Sequence, residues 1–146
     1  MTAHSELLAR LEGASEGSQS IDAEICIALQ YGGLNSEGGE NIRTDEEWEG
    51  DLLYEIGAEE CCCPIPPVTT SLDAALALAS RVYPCWSWSV GQNVHHKYWR
   101  AYALALDTDR AAFQPTEATA KAPELALCIA ILKATATQPS DDGEKT

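Results

Sequence analysis

Three consecutive thiols, Cys61-Cys62-Cys63, and two adjacent imidazoles, His95-His96, are the residues of this chain whose types could carry chemistry. A thiol beside a base is a nucleophile, so Cys85 or one of the three thiols meeting His95 or His96 in space would make a cysteine-dependent catalyst. The same groups could ligate zinc. Zinc sites usually space their ligands by two to four residues, however, and neighbours in an extended chain point to opposite sides, so the three thiols cannot all converge. A free cysteine is more commonly a small buried apolar residue, and Cys26, Cys85 and Cys128 are expected in that role. No G-x-S-x-G, P-loop, G-x-G-x-x-G or H-E-x-x-H pattern is present. Asp107-Thr108-Asp109 and Asp141-Asp142 lack the glycine and closing glutamate of an EF-hand loop and read as turns. The expectation is no catalytic residue, no metal and no cofactor.

Charge says more. The 146 residues carry 23 acids against nine bases, a net charge of -14. Such a chain repels phosphate, which argues against direct nucleic-acid binding and against docking on an anionic membrane. Lys97, Arg100 and the two histidines, bracketed by Tyr98, Trp99 and Tyr102, form the one basic cluster. Basic residues among aromatics can hold single strands, but at this net charge they read as a polar sheet edge and a core face. The acids concentrate in residues 34–60, where Arg43 is the one base. Asp45, Glu46, Glu47, Glu49, Asp51, Glu55, Glu59 and Glu60 are the candidate partner-binding surface. No secretory leader and no apolar run of about 18 residues is visible, so a cytoplasmic setting with reduced thiols is expected.

The elements that would position these groups follow from spacing. Ser5 caps a short helix over 5–13 whose stripe is Leu7, Leu8 and Leu11. Ser20 caps a second helix to about Tyr31, with Ile21, Ile25 and Leu29 on one face and Gly32-Gly33 as its stop. Residues 34–66 read as an acidic, loop-rich insertion and connector. Within it Trp48, Leu52 and Ile56 fit a helix, but Gly50 opposes that, and 52–56 reads better as a strand or irregular segment. Pro64, Pro66 and Pro67 make the following stretch stiff and extended. Thr70 or Ser71 caps a helix to Val82, buried through Leu72, Leu76, Ala79 and Val82 and flanked by Ala75 and Leu78. Pro84 ends it. Trp86 and Trp88 alternate with Ser87 and Ser89 along a strand, 91–93 is a turn, and 98–106 returns with Trp99, Ala101 and Ala103 on one face. Residues 107–121 form a loop, and Pro123 opens a last helix with Leu125, Cys128, Ile129 and Leu132 inward. The core residues expected are Leu72, Leu76, Trp86, Trp88, Leu125 and Ile129. The fold class is α+β: a helical pair, then helix–strand–strand–helix, as one domain over 1–136 with a flexible tail over 137–146.

Three motifs carry a family resemblance: Asp22-Ala23-Glu24-Ile25, then Thr69-Thr70-Ser71-Leu72-Asp73-Ala74-Ala75-Leu76 followed by Trp86-Ser87-Trp88, and finally Ala122-Pro123-Glu124-Leu125-Ala126-Leu127-Cys128-Ile129-Ala130. Together they resemble the phage ABA sandwich domain of small bacteriophage and prophage proteins, over roughly 67–136 plus the short N-terminal match. Each helical motif alone is only a capped Ala/Leu helix. Val82-Tyr83-Pro84 departs from the commoner Val-Pro-Glu-Gly run before the tryptophans, which puts that turn in doubt. The resemblance implies a helix, strand, strand, helix layout in a phage-related setting, and it defines no catalytic or ligand-binding residue.

The functional expectation joins these readings: a non-enzymatic phage or prophage accessory protein that binds another protein in the host cytoplasm. A sharper alternative is an acidic DNA mimic inhibiting a host defence nuclease or CRISPR complex, whose partner would itself carry a basic nucleic-acid-binding surface. A virion or assembly component is the third.

Overall fold

From Leu125 to Leu132 the chain is apolar at every position, and a helix that is apolar all round has to be buried all round. A computed structural model describes residues 2–14, 16–33, 39–84, 86–93, 95, 98–105 and 116–137 of the protein. In it that stretch belongs to α4 (Pro123–Thr137), and all eight residues are at most 1% exposed. This helix, and not the preceding helix and its tryptophans, is the centre of the molecule. Against it pack α1 (Thr2–Glu12), α3 (Leu72–Val82) and a sheet of β4 (Trp86–Asn93), β5 (Tyr98–Ala105) and β6 (Thr116–Ala120). The sheet order is β4-β5-β6, antiparallel throughout. The middle of its inner face is built of small residues: Ala101 and Ala103 are buried, and Ala118 faces Ala101 across the β5–β6 pairing. Methyl groups there leave room for the bulky side chains of α4, and close packing does the rest.

The chain is α+β, with four α-helices and two three-stranded antiparallel sheets among the described residues. The second sheet is made of β1 (Glu40–Arg43), β2 (Asp51–Ile56) and β3 (Glu59–Pro64), in that order. The described part of the stretch expected to be loop-rich is therefore mostly strand, and the proline-tipped connector is an edge strand that ends at Pro64. Pro is tolerated there because it terminates the ladder on an edge. One continuous set of buried side chains runs from Leu11 and Ile25 through Ile42, Leu52 and Tyr54 to Ala101 and α4.

Several local expectations shift. Ser5 lies inside α1, which begins at Thr2. The cap of α2 (Gln19–Leu29) is Ser18, whose hydroxyl accepts the Ile21 N–H at 3.2 Å, and the helix stops at Gln30 in a left-handed conformation (φ 51°) before the glycines are reached. Ser71 caps α3 as expected, accepting the Ala74 N–H at 3.3 Å. The buried stripe of α3, however, is Ala75, Leu78 and Ala79, and Leu76 is 37% exposed. Two alanines let α3 lie close to α4, which turns the helix and carries Leu76 about a quarter turn outward. Leu72 is half-buried against the core, and Leu125 and Ile129 are fully inside.

Strand β4 continues through the expected turn at 91–93, and the expected loop over 107–121 contains the third strand β6. Trp86 and Trp88 are half-buried, covering the rim of the core and not filling its middle. Tyr83 stacks on Trp86 at 4.4 Å, and Trp86 on Trp88 at 5.8 Å. The Thr135 hydroxyl donates to Ile131 O at 3.0 Å, so Tyr83 is the donor in its 2.8 Å bond to Thr135. That bond pins the aromatic stack to α4. Cys85, His96, Lys97, Asp107 to Asp109 and the tail from 138 onward lie outside the described residues.

Candidate functional site

The acidic sheet is held by polar groups at the end of α2. Gln30, fixed in its left-handed conformation, presents its side-chain amide to β1 as a strand would. Its Oε1 accepts the Ile42 N–H at 2.8 Å and its Nε2 donates to Ile42 O at 2.9 Å. Cys63 donates its thiol to Gly32 O at 2.9 Å. Ile42, Leu52, Tyr54 and Cys63 thereby face the core. The register places Arg43 opposite Leu53, Leu53 opposite Cys62, and Glu55 opposite Glu60, all on the outer face. Gly57 (φ 63°) at the first position of a two-residue loop closes the β2–β3 hairpin, as a type II′ turn requires.

The expected acids fall into three groups, and all but Glu59 lie on or beside that outer face. Glu55 and Glu60 would repel one another across the ladder, and Arg43 lies between them, 3.4 Å from Glu55 and bonded to Glu60. Glu59 stands at the hairpin end. Asp45, Glu46, Glu49 and Asp51 line a groove of about 290 Å³ together with Trp48, and Glu47 is exposed on the same turn. That turn is a single 3-10 helix, Glu46–Trp48, capped by Asp45, whose carboxylate accepts the Glu47 N–H at 2.9 Å while its carbonyl accepts the Trp48 N–H at 3.0 Å. Trp48 is half exposed, at 50%. On its other side a smaller groove of about 120 Å³ reaches Leu53, Glu60 and Cys62. Among the described residues Arg43 makes the ion pairs of this sheet, with Glu55 and Glu60, and Asp45, Glu46, Glu49 and Asp51 have none. Sequence reasoning located the acids and favoured a strand or irregular segment over 52–56, but it weighed Trp48 only as part of the rejected helix stripe and gave it no place in the site. The signal for the sheet was Ile56-Gly57-Ala58-Glu59, a Gly-X loop between two strand-like runs.

Three of the thiols are held in the unreactive protonated form. Burial pushes Cys26 up to about 12, and it raises Cys63 and Cys128 as well, so these three stay protonated at neutral pH. Cys63 and Cys128 instead donate to backbone carbonyls, Cys128 to Val68 O at 3.2 Å. In β3 the thiols alternate: Cys62 lies on the outer face, while Cys61 and Cys63 share the inner one. The five described cysteines are free, and no three His, Cys, Asp or Glu side chains among the described residues gather to hold a metal. Arg100 is paired with Glu117 at 3.0 Å on the outer face of the other sheet. No helix is long and apolar enough to cross a membrane among the described residues.

One polar cluster escaped sequence reasoning although two of the quoted motifs meet in it. Asp22 is 3% exposed, and its Oδ1 accepts both the Thr69 N–H at 2.8 Å and the Thr69 hydroxyl at 2.6 Å. The Ser18 N–H donates to the same hydroxyl oxygen at 3.0 Å. Gly17 sits so close that a Cβ there would come within 2.2 Å of Thr69 Oγ1. Burial raises the Asp22 carboxyl above the ordinary aspartate range, and the two Thr69 bonds pull it part of the way back. This cluster ties the start of α2 to the approach of α3. Its groups are satisfied by one another, which is the mark of a structural joint.

No known protein family, curated protein or solved structure matches the chain.

Proposed function

We propose that this protein is a non-catalytic protein-binding module whose β1-β2-β3 sheet presents the docking face. The phage or prophage setting, with the host cytoplasm as the place of action, rests on the three motifs of the family resemblance. The observation that carries the reading is Trp48, half exposed on a capped turn among carboxylates that make no ion pair among the described residues. Exposed tryptophan is the residue type most enriched at binding hot spots, and an uncompensated acidic rim selects a basic partner and speeds encounter with it. A DNA mimic would need carboxylates alone; an indole at the centre of the patch favours recognition of a protein surface over mimicry of a phosphate backbone.

The test is capture of partner from host lysate by the intact protein and by a variant carrying Glu46→Lys, Glu47→Lys, Glu49→Lys and Asp51→Lys. A control carries Glu6→Lys and Glu16→Lys, both exposed and remote from the sheet in sequence. Loss of a captured species in the first variant and its retention in the control is expected. Equal capture by all three proteins would overturn the docking face.

A further inference from the structure

Resting on that docking face, the chemistry of the Trp48 corner narrows the partner. We infer that it takes an arginine side chain from a basic segment of the partner protein, with the guanidinium stacked on the indole and its N–H groups donated to the neighbouring carboxylates.

Four observations converge. The ring is half exposed, yet its turn is fixed at both ends: the Asp45 cap holds the entry, and Gly50 (φ 89°) with its carbonyl accepting the Ile65 N–H at 3.1 Å holds the exit. A ring presented on a fixed turn loses little entropy when something lies against it. The groove beside it, about 290 Å³, is at the lower limit of small-molecule sites, which run from about 300 to 1,000 Å³; its size suits one side chain better than a substrate. Asp45, Glu46, Glu49 and Asp51 line it without a counter-ion among the described residues. Finally, the same outer face already accepts one guanidinium, that of Arg43 between Glu55 and Glu60.

Arginine is selected over lysine by shape. A planar guanidinium can lie on an aromatic face while donating in its own plane to carboxylates on either side. An ammonium is a strongly hydrated point charge and cannot do both. A neutral isostere of arginine keeps the plane but loses the charge, so it would bind neither the ring quadrupole nor the acids.

Three synthetic peptides test this, alike except that three Gly/Ser-spaced positions are arginine, lysine or citrulline. Each is titrated by calorimetry into the full-length protein and its variants, and the indole N–H resonance of Trp48, assigned by its absence in Trp48→Ala, locates the contact in the intact protein. The arginine peptide is expected to bind about tenfold more tightly than the lysine peptide, with citrulline binding undetectable. Trp48→Ala should erase the arginine preference, leaving two weak and equal affinities. Equal arginine and lysine affinities in the intact protein would overturn the inference, as would an arginine preference that survives Trp48→Ala. The quadruple Lys variant separates the two levels. If the arginine preference survives Trp48→Ala but is lost in the quadruple variant, the docking face stands and the arginine corner falls. If it survives in both, both fall.

Discussion

The two sheets are alike in size and pairing but differ in what holds them. The β4-β5-β6 sheet lies on α4 through alanine methyls and half-buried tryptophans, and its outer face is polar and internally balanced by Arg100 with Glu117. The β1-β2-β3 sheet is fastened at α2 by the Gln30 amide and the Cys63 thiol, and its outer face carries acids in excess of its base. One sheet exists to cover a helix. The other is an attachment with spare charge and an uncovered ring, which is where a binding function costs the fold least.

The largest expected effect breaks the first kind of support. Leu125, in the middle of α4, is fully buried, and Leu125→Ala should destabilise the protein by about 2–5 kcal/mol, the transfer and cavity cost of a core leucine. Trp48→Ala should change stability by no more than about 0.5 kcal/mol, because an exposed side chain on a turn held by backbone and Asp45 bonds contributes little packing. Chemical denaturation of both variants checks the contrast. Comparable losses would mean that the acidic sheet is as integral to the core as α4.

The joint at Asp22 is intermediate. Asp22→Ala leaves the Thr69 N–H without its acceptor and turns the Thr69 hydroxyl to Ser18 O, 3.3 Å away, and should cost about 1–3 kcal/mol. Asp22→Asn keeps an acceptor oxygen and should cost far less. The pH dependence separates charge from hydrogen bonding. Because burial raises the folded-state pKa of Asp22, the folded protein still holds this proton at a pH where the unfolded chain has released it. The contribution of this carboxyl is therefore fullest below its unfolded value, near pH ~3.9, and is lost as pH rises through the folded value. Measured against the wild type, Asp22→Asn should gain in melting temperature across that window and then hold constant. A difference that stays flat from acid to neutral pH would show that Asp22 is not strained by its burial.

Legibility in the sequence follows the same division. The β4 and β5 strands were readable because one of their faces is buried, which forces the period-two alternation of Trp86, Ser87, Trp88 and of Trp99, Arg100, Ala101. Helix α4 was readable from its Pro123 start and apolar run. Strand β6 was hidden: Thr116-Glu117-Ala118-Thr119-Ala120 has no large apolar residue, since an alanine suffices where it faces Ala101. The first sheet showed only in the segment over 52–56 and the Gly57 loop, and its other strands were hidden for a different reason. Its strands are specified by contacts from outside it, a glutamine side chain 12 residues from its strand partner and a glycine carbonyl 31 residues from Cys63. Local pattern cannot encode such ties. The acids of the candidate site were visible as composition, but the ring they surround became meaningful only once the 3-10 turn placed it outside.

The smallest expected effect sharpens the comparison between the sheets by using one arginine in each. Arg43 separates Glu55 and Glu60, which face one another in the ladder, so Arg43→Gln removes two attractions and uncovers a cross-strand repulsion. Arg100→Gln removes only its pair with Glu117, which stands opposite Tyr102 and meets no facing acid on β5. Exposed pairs are worth about 0.2–1 kcal/mol. Arg43→Gln should therefore cost about 1 kcal/mol at low salt and Arg100→Gln about half of that or less. Raising the salt to about 1 M, where screening acts over about 3 Å, should bring the two variants together. Denaturant titrations at both ionic strengths read this out. Equal costs at low salt would mean that the carboxylates of the first sheet do not feel one another, and a face without that field would have no electrostatic claim on a basic partner.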